Sequence, residues 1–294
     1  MSVIISSPHL RAQVSAEGAE LIRLQDEQGR DWLWDGDPAF WTGRSPLLFP
    51  IVGRVSNDRI RVDGLEYELP RHGFARTSRF EVEEANPSQC RLRLCSSEAT
   101  LQRYPFPFQL DVSYVVEGAT LSITAAVANT GSSHMPVSFG FHPAFRWPLP
   151  YDAPREAHEI RFEQEETAPI RRPLEGLIKR ETEPTPVQGR ALVLRDALFD
   201  ADALVFDQLR SRSVEYGAPG GASVRVEYPD MPHLGVWTKP GAGFICIEPW
   251  QGYADPQGFA GDFSDKPGIV FVQSGETRRF AMTITVKPPT QRSE

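Results

Sequence analysis

Two adjoining ladders near the middle of the chain set the terms for what it can fold into. Leu110-Asp111-Val112-Ser113-Tyr114-Val115-Val116 and Leu121-Ser122-Ile123-Thr124-Ala125-Ala126-Val127 alternate apolar and polar residues except at Val115 and Ala126, the period of a strand with one buried face. Glu117-Gly118 between them supplies the turn of a β-hairpin. The pattern continues on both sides: residues 11–15, 19–24, 79–84, 89–96, 223–228, 234–238 and 277–286 read as further strands, punctuated by turns such as Asp63-Gly64 and Pro219-Gly220-Gly221. Long amphipathic helical periodicity is hard to find. The 26 prolines and 23 glycines fall between short strands, so the expectation is an all-β protein, a large antiparallel β-sandwich.

A chain of 294 residues can bury roughly three quarters of its unfolded surface without disulfides. No stretch has the composition of a linker, so one domain spanning residues 1–294 is expected. The acidic, Pro-rich residues 156–188 read as an excursion over the surface, followed by a short helix near 196–199. The net charge of −8 and the scatter of the arginines give no basic patch for phosphate neutralisation, which argues against nucleic acid as a partner. No stretch approaches a membrane span, and residues 1–15 lack the basic and apolar regions of a signal peptide. Cys90, Cys95 and Cys246 form an odd set without CxxC spacing, which speaks against a disulfide framework or a structural metal. A soluble cytoplasmic protein, monomeric or homodimeric, is the resulting expectation.

Polar residues interrupt the apolar pattern in a few places. In residues 243–252, Gly-Phe-Ile-Cys-Ile-Glu-Pro-Trp-Gln-Gly, period two puts Phe244 and Cys246 on the face of Glu248 and both isoleucines on the other. Pro249 cannot donate to a ladder, so the strand is expected to end there, leaving Glu248 at a rim. Residues 137–145 repeat the arrangement: Val137, Phe139 and Phe141 share one face, while Ser138, Gly140 and His142 share the other, and Pro143 follows. If both strands lie in one sheet, their small faces form the floor of a cleft with a base and an acid at its end. Arg54 follows the Pro-rich run 45–53, and His72 precedes Gly73 in a turn. Taken alone, an arginine after a glycine or a histidine in a loop is more often structural than functional.

His72-Gly-Phe-Ala-Arg76, Phe139-Gly-Phe-His-Pro-Ala-Phe145, Cys246-Ile-Glu-Pro-Trp-Gln-Gly252 and the upstream residues 47–60 together resemble the aldose 1-epimerase, or galactose mutarotase-like, family, in particular its LacX-like branch. The resemblance covers nearly the whole chain in order. It implies a supersandwich that binds a free sugar in a shallow cleft and interconverts its α and β anomers, with no metal or organic cofactor needed. It also implies Glu248 as general base, His142 as general acid, and His72 and Arg54 as sugar contacts. Family members use a further aspartate, for which Asp202 is the better match in residues 198–207. Trp237, Trp250 and Tyr253 are candidates to stack on a pyranose. The glycine pair after the first histidine and the NHSYF-like motif of the galactose mutarotase branch are replaced here, so the walls differ and galactose is not implied. Two rivals remain. One is a hexose 6-phosphate epimerase of the same fold, with Arg44, Arg71 or Arg76 holding the phosphate. The other is a carbohydrate-binding module without turnover.

Overall fold

Alternation of burial marks the strands that carry solvent on one side. In Phe108–Glu117 and Thr120–Asn129 every second side chain is buried, and the two pair antiparallel with Glu117 opposite Thr120, as the ladders predict. They sit inside a nine-stranded sheet that runs from Ala191–Val193 at one edge to Glu81–Ala85 at the other. The computed structural model describes residues 1–289. Among these the only α-helix is the four-residue Glu98–Leu101, and the short helix expected near 196–199 is a 3-10 turn, Asp196–Phe199. Among the described residues no helix is long and apolar enough to cross a membrane.

A second sheet packs against the first and carries the polar interruptions. Its strands are β1 (Leu47–Leu48), β2 (Phe139–Phe141), β3 (Ala144–Arg146), β4 (Leu204–Phe206), β5 (His233–Trp237) and β6 (Phe244–Gln251). The order is β4-β5-β6-β2-β1, with β3 pairing further along β6. Between the sheets, Phe139 stacks on Phe280 at 5.1 Å, Phe162 meets Phe206 at 5.3 Å and Phe49 meets Phe108 at 4.9 Å. Burial of each such ring is worth about 1.5–3 kcal/mol, with a smaller gain from the ring geometry. The architecture is the antiparallel sandwich expected.

Strand β6 is buried along its whole length, because both of its faces are covered. Ile245 and Ile247 enter the main core, together with Val137, Phe139 and Phe141. Phe244 and Cys246 cluster with Trp34 and Ala144 on the opposite face, and Trp250 packs with Leu48 and Val52. The two-face reading of both segments therefore holds.

Two expectations are corrected. The strand does not end at Pro249: it continues to Gln251, with Pro249 opposite Leu234 and Gln251 opposite Phe139. The reason lies in its other neighbour. β2 stops at Phe141 and β3 begins at Ala144, while Ile247 N–H donates to the Pro143 carbonyl at 3.2 Å. By alternation the ring nitrogen of Pro249 faces the same side as Ile247 N–H, where the ladder changes from one strand to the other and one donor can be spared. Secondly, residues 156–188 are more than a surface excursion. Glu159–Phe162, which reads as a strand in the sequence, is one and joins the nine-stranded sheet; beyond it, Arg171 exchanges two backbone hydrogen bonds with Val205 of β4, and the hairpin Pro173–Leu174/Leu177–Ile178 lies over the outer face of the second sheet.

Candidate active site

The outer face of the second sheet is the floor of a cavity of about 520 Å³, within the usual 300–1,000 Å³ of small-molecule sites. Glu248 points into it from β6, with Gly235 opposite on β5. His142 enters from the break between β2 and β3, so the proline that follows it ends one short strand and lets the next begin. Nε2 of His142 lies 3.1 Å from Oε2 of Glu248, with the two side chains 10% and 2% exposed. The approach is too oblique for a hydrogen bond: Glu248 Oε2, His142 Nδ1 and the Trp250 indole nitrogen are all buried without a partner. Burial pushes the Glu248 carboxyl well above its ordinary value, and the negative charge of Asp202 adds to this. The nearby Trp250 indole N–H opposes the shift. Burial drives the His142 imidazole the other way, with the charge of Arg76 adding. A neutral pair sharing one proton is the resting state these environments favour.

His72 is held by Gly53 on both sides. Gly53 N–H donates to its Nδ1 at 3.1 Å, and its own N–H donates to the Gly53 carbonyl at 2.8 Å. The neutral ring then carries its proton on Nε2. Burial and the nearby positive groups keep the ring neutral, and it stands 5.8 Å from the His142 ring, edge to face. The turn that presents it needs two left-handed residues, His72 at φ 67° and Gly73 at φ 71°. A side chain at 73 would meet the Phe49 carbonyl oxygen at 2.1 Å, so glycine is required there.

Trp250 owes its position to two glycines. A Cβ on Gly140 would lie 2.7 Å from one end of the indole, and one on Gly235 would lie 2.4 Å from the other. The ring therefore spans from β2 to β5 and lines the floor of the cavity. Gly235→Ala is expected to tilt the indole and destabilise the protein by about 1–3 kcal/mol through overpacking. Chemical denaturation with near-ultraviolet circular dichroism measures both effects, and unchanged values would show that the ring is not fixed this way.

The structure brings His72, His142, Asp202, Trp237 and Glu248 to one cavity. Asp202 stands at its mouth with φ 71°, its Oδ1 accepting from Ala203 N–H and its carbonyl accepting from Arg172. Arg54 is not brought in. Its guanidinium is held by both carboxylate oxygens of Asp58, at 2.7 and 2.6 Å, and donates to the Glu175 carbonyl. Arg71 and Arg76 line the cavity instead, and neither has a carboxylate within ion-pair distance among the described residues. Arg44 and Tyr253 also lie outside the lining; Tyr253 packs edge-on against His233.

Trp41 is the residue that the sequence did not mark. Its ring lies 4.9 Å from His142 and 5.6 Å from Trp237, and its carbonyl accepts from the Trp34 indole N–H at 2.8 Å. It stands in a loop without periodicity, where the only signal is an aromatic pair, Phe40-Trp41, among polar and small neighbours.

Behind one wall is a buried ion pair. Lys266 Nζ lies 2.9 Å from Asp255 Oδ1, with side chains 0% and 3% exposed, and it also donates to the Tyr253 carbonyl. Asp255 accepts from Ser56 N–H, and its backbone bonds Arg54 and Ile178. The pair thus ties together three segments that contribute Gly53, Ile178 and Ala254 to the cavity.

The family model described as aldose 1-epimerase matches residues 1–285. The chromosomal LacX protein of Lactococcus lactis subsp. lactis is 31% identical over 300 residues, covering 97% of this chain and 99% of the relative. Among solved structures, a galactose mutarotase related enzyme from Lactobacillus acidophilus superposes with a TM-score of 0.91 at 29% identity, covering 100% of both chains. A galactose mutarotase-like protein from Lactobacillus casei ATCC 334 does so with a TM-score of 0.91 at 27% identity, covering 98% of this chain and 100% of the other.

Proposed function

The chain belongs to the aldose 1-epimerase family, and from that premise we propose that it is a mutarotase, interconverting the α and β anomers of an aldose by acid–base ring opening. The observation that carries this reading is the Glu248–His142 pair, 3.1 Å apart, with unpartnered polar atoms, at the floor of a sugar-sized cavity. Glu248 takes the proton from the anomeric hydroxyl while His142 gives one to the ring oxygen. The bond from C1 to the ring oxygen breaks, and an open-chain aldehyde results. After rotation about C1–C2 the hydroxyl adds to the other face of the carbonyl, returning one proton to His142 while Glu248 gives the other back to the new anomeric oxygen. One proton shared by the pair is sufficient for this cycle. The hydroxyl arriving at Glu248 supplies the hydrogen bond that its Oε2 lacks, which favours the ionised carboxylate and moves the shared proton to His142. His72, with its proton on Nε2, and Asp202 hold sugar hydroxyls, and the Trp237 and Trp250 rings take the apolar face of the pyranose.

The test is acceleration of the optical-rotation change of freshly dissolved α-D-glucose, α-D-galactose and a panel of other aldoses, or of anomeric exchange by NMR. Binding of a sugar with no acceleration across the panel would replace this reading with that of a non-catalytic module. His142→Asn is expected to lower the rate by roughly 10²-fold or more; normal turnover would remove His142 from the acid role.

A second reading, a hexose 6-phosphate epimerase, is favoured by Arg71 and Arg76 standing at the cavity without carboxylate partners. Guanidinium groups in that position suit a phosphate. Including 6-phosphates in the panel decides between the two by the ratio of kcat/KM values. A cytoplasmic setting belongs to the same proposal, consistent with three unpaired cysteines.

A further inference from the structure

Cys246 stands two residues before Glu248 on the same face of β6, with no role in the ring-opening scheme. One donor atom each from His142, Cys246 and Glu248 lie within 4.8 Å of one another, and all three residues are buried. His142 Nε2 and Glu248 Oε2 are already 3.1 Å apart. Around a tetrahedral zinc ion, bond lengths of about 2.0–2.3 Å put neighbouring donors about 3.5 Å from each other. The widest of these separations therefore needs to close by only about 1 Å, while the His142–Glu248 pair opens by a few tenths of an ångström. Glu248 Oε2 is moreover a buried acceptor without a donor, an arrangement that a cation relieves directly.

We propose that His142, Cys246 and Glu248 form a binding site for a thiophilic divalent cation, Zn²⁺ in particular, whose occupation withdraws the acid–base pair from catalysis. Thiolate, imidazole and carboxylate are the donor set that zinc accepts, and three protein ligands with a fourth position open to the cavity match its common three-ligand coordination. Binding releases the Cys246 thiol proton and the one proton shared by His142 and Glu248, so uptake weakens as pH falls. The metal site itself is independent of the mutarotase reading; only the shut-off rests on it.

The experiment is a Co²⁺ titration of the full-length protein followed by absorption spectroscopy, then displacement by Zn²⁺. A thiolate-to-cobalt charge-transfer band saturating at one equivalent is expected. It should vanish in Cys246→Ser and Cys246→Ala and persist in Cys95→Ser, which removes the exposed thiol. Absence of the band, or its survival without Cys246, overturns the site whether or not any sugar is turned over. In polarimetry, Zn²⁺ should lower the wild-type rate, and Cys246→Ser should keep its basal rate while needing at least about tenfold more metal for the same inhibition. That is the lower end of what losing even an outer-shell partner does to metal affinity. A protein that binds the metal and turns over unimpaired overturns the shut-off.

Discussion

Glu248→Gln is expected to lower kcat by about 10³-fold or more, toward the upper part of the range for removing a positioned acid or base, while leaving the protein as stable as before or more so. The two halves of this result have one cause. The carboxyl is 2% exposed, and burial holds it well above its ordinary pKa, so ionisation at neutral pH works against the fold. The sign follows from linkage. A carboxyl whose folded pKa is raised gives stability that is complete below the unfolded value and is lost as pH rises through the folded one. Glutamine cannot ionise, so its advantage over the wild type should appear at neutral pH and disappear once the pH falls below the ordinary carboxylate range. Polarimetry measures the first half and denaturation at two pH values the second. Normal turnover in the variant would remove Glu248 from the base role, and a large loss of stability would contradict the desolvation account.

Lys266→Met is expected to destabilise the protein by about 3–5 kcal/mol, the usual effect of leaving one partner of a buried ion pair alone. Asp255 would keep the Ser56 N–H but lose its cation in a place that is 2% exposed. Burial already draws the Lys266 ammonium below its ordinary value while Asp255 opposes that shift, so the pair exists by mutual support. Asp255→Asn in the Lys266→Met background removes the stranded charge and keeps an acceptor for Ser56. It should recover most of the loss. Urea denaturation reads this as a midpoint shift at constant slope; equal stability of wild type and Lys266→Met would show that Asp255 is not dependent on its partner.

How far the fold was legible depended on which residues carried a period. The ladders at 110–127 and the two faces of residues 137–142 and 244–248 followed from alternation alone, because a side chain on a pleated strand has only two directions. Pro249 misled for the converse reason: the rule that proline ends a strand concerns ladder donors, and here the neighbouring strand changes at that place. Arg54 and Arg76 show a different limit. Sequence order puts both near the cavity, but only the turn at Gly53 and the carboxylate of Asp58 decide which guanidinium reaches it. Trp41 and the hairpin at Pro173–Ile178 come from loops that arch over the sheet. Nothing periodic specifies where a loop lands, since its path depends on contacts with segments distant in the chain.

The insertion of β6 between β5 and the β2–β3 pair bears on how the protein is made. Its partner on one side is a near neighbour in sequence, but on the other it must find strands synthesised much earlier. Contacts of that separation form late, after the entropy of closing a long loop has been met. During translation, therefore, His142 emerges long before the strand that carries Glu248, and its imidazole waits without its carboxylate. A ribosome-bound chain that stops short of β6 lacks both the middle of the second sheet and Thr277–Lys287, the strand that joins the two halves of the nine-stranded sheet, so both sheets are closed only by residues from 244 onward and the proposed acid–base pair assembles with them.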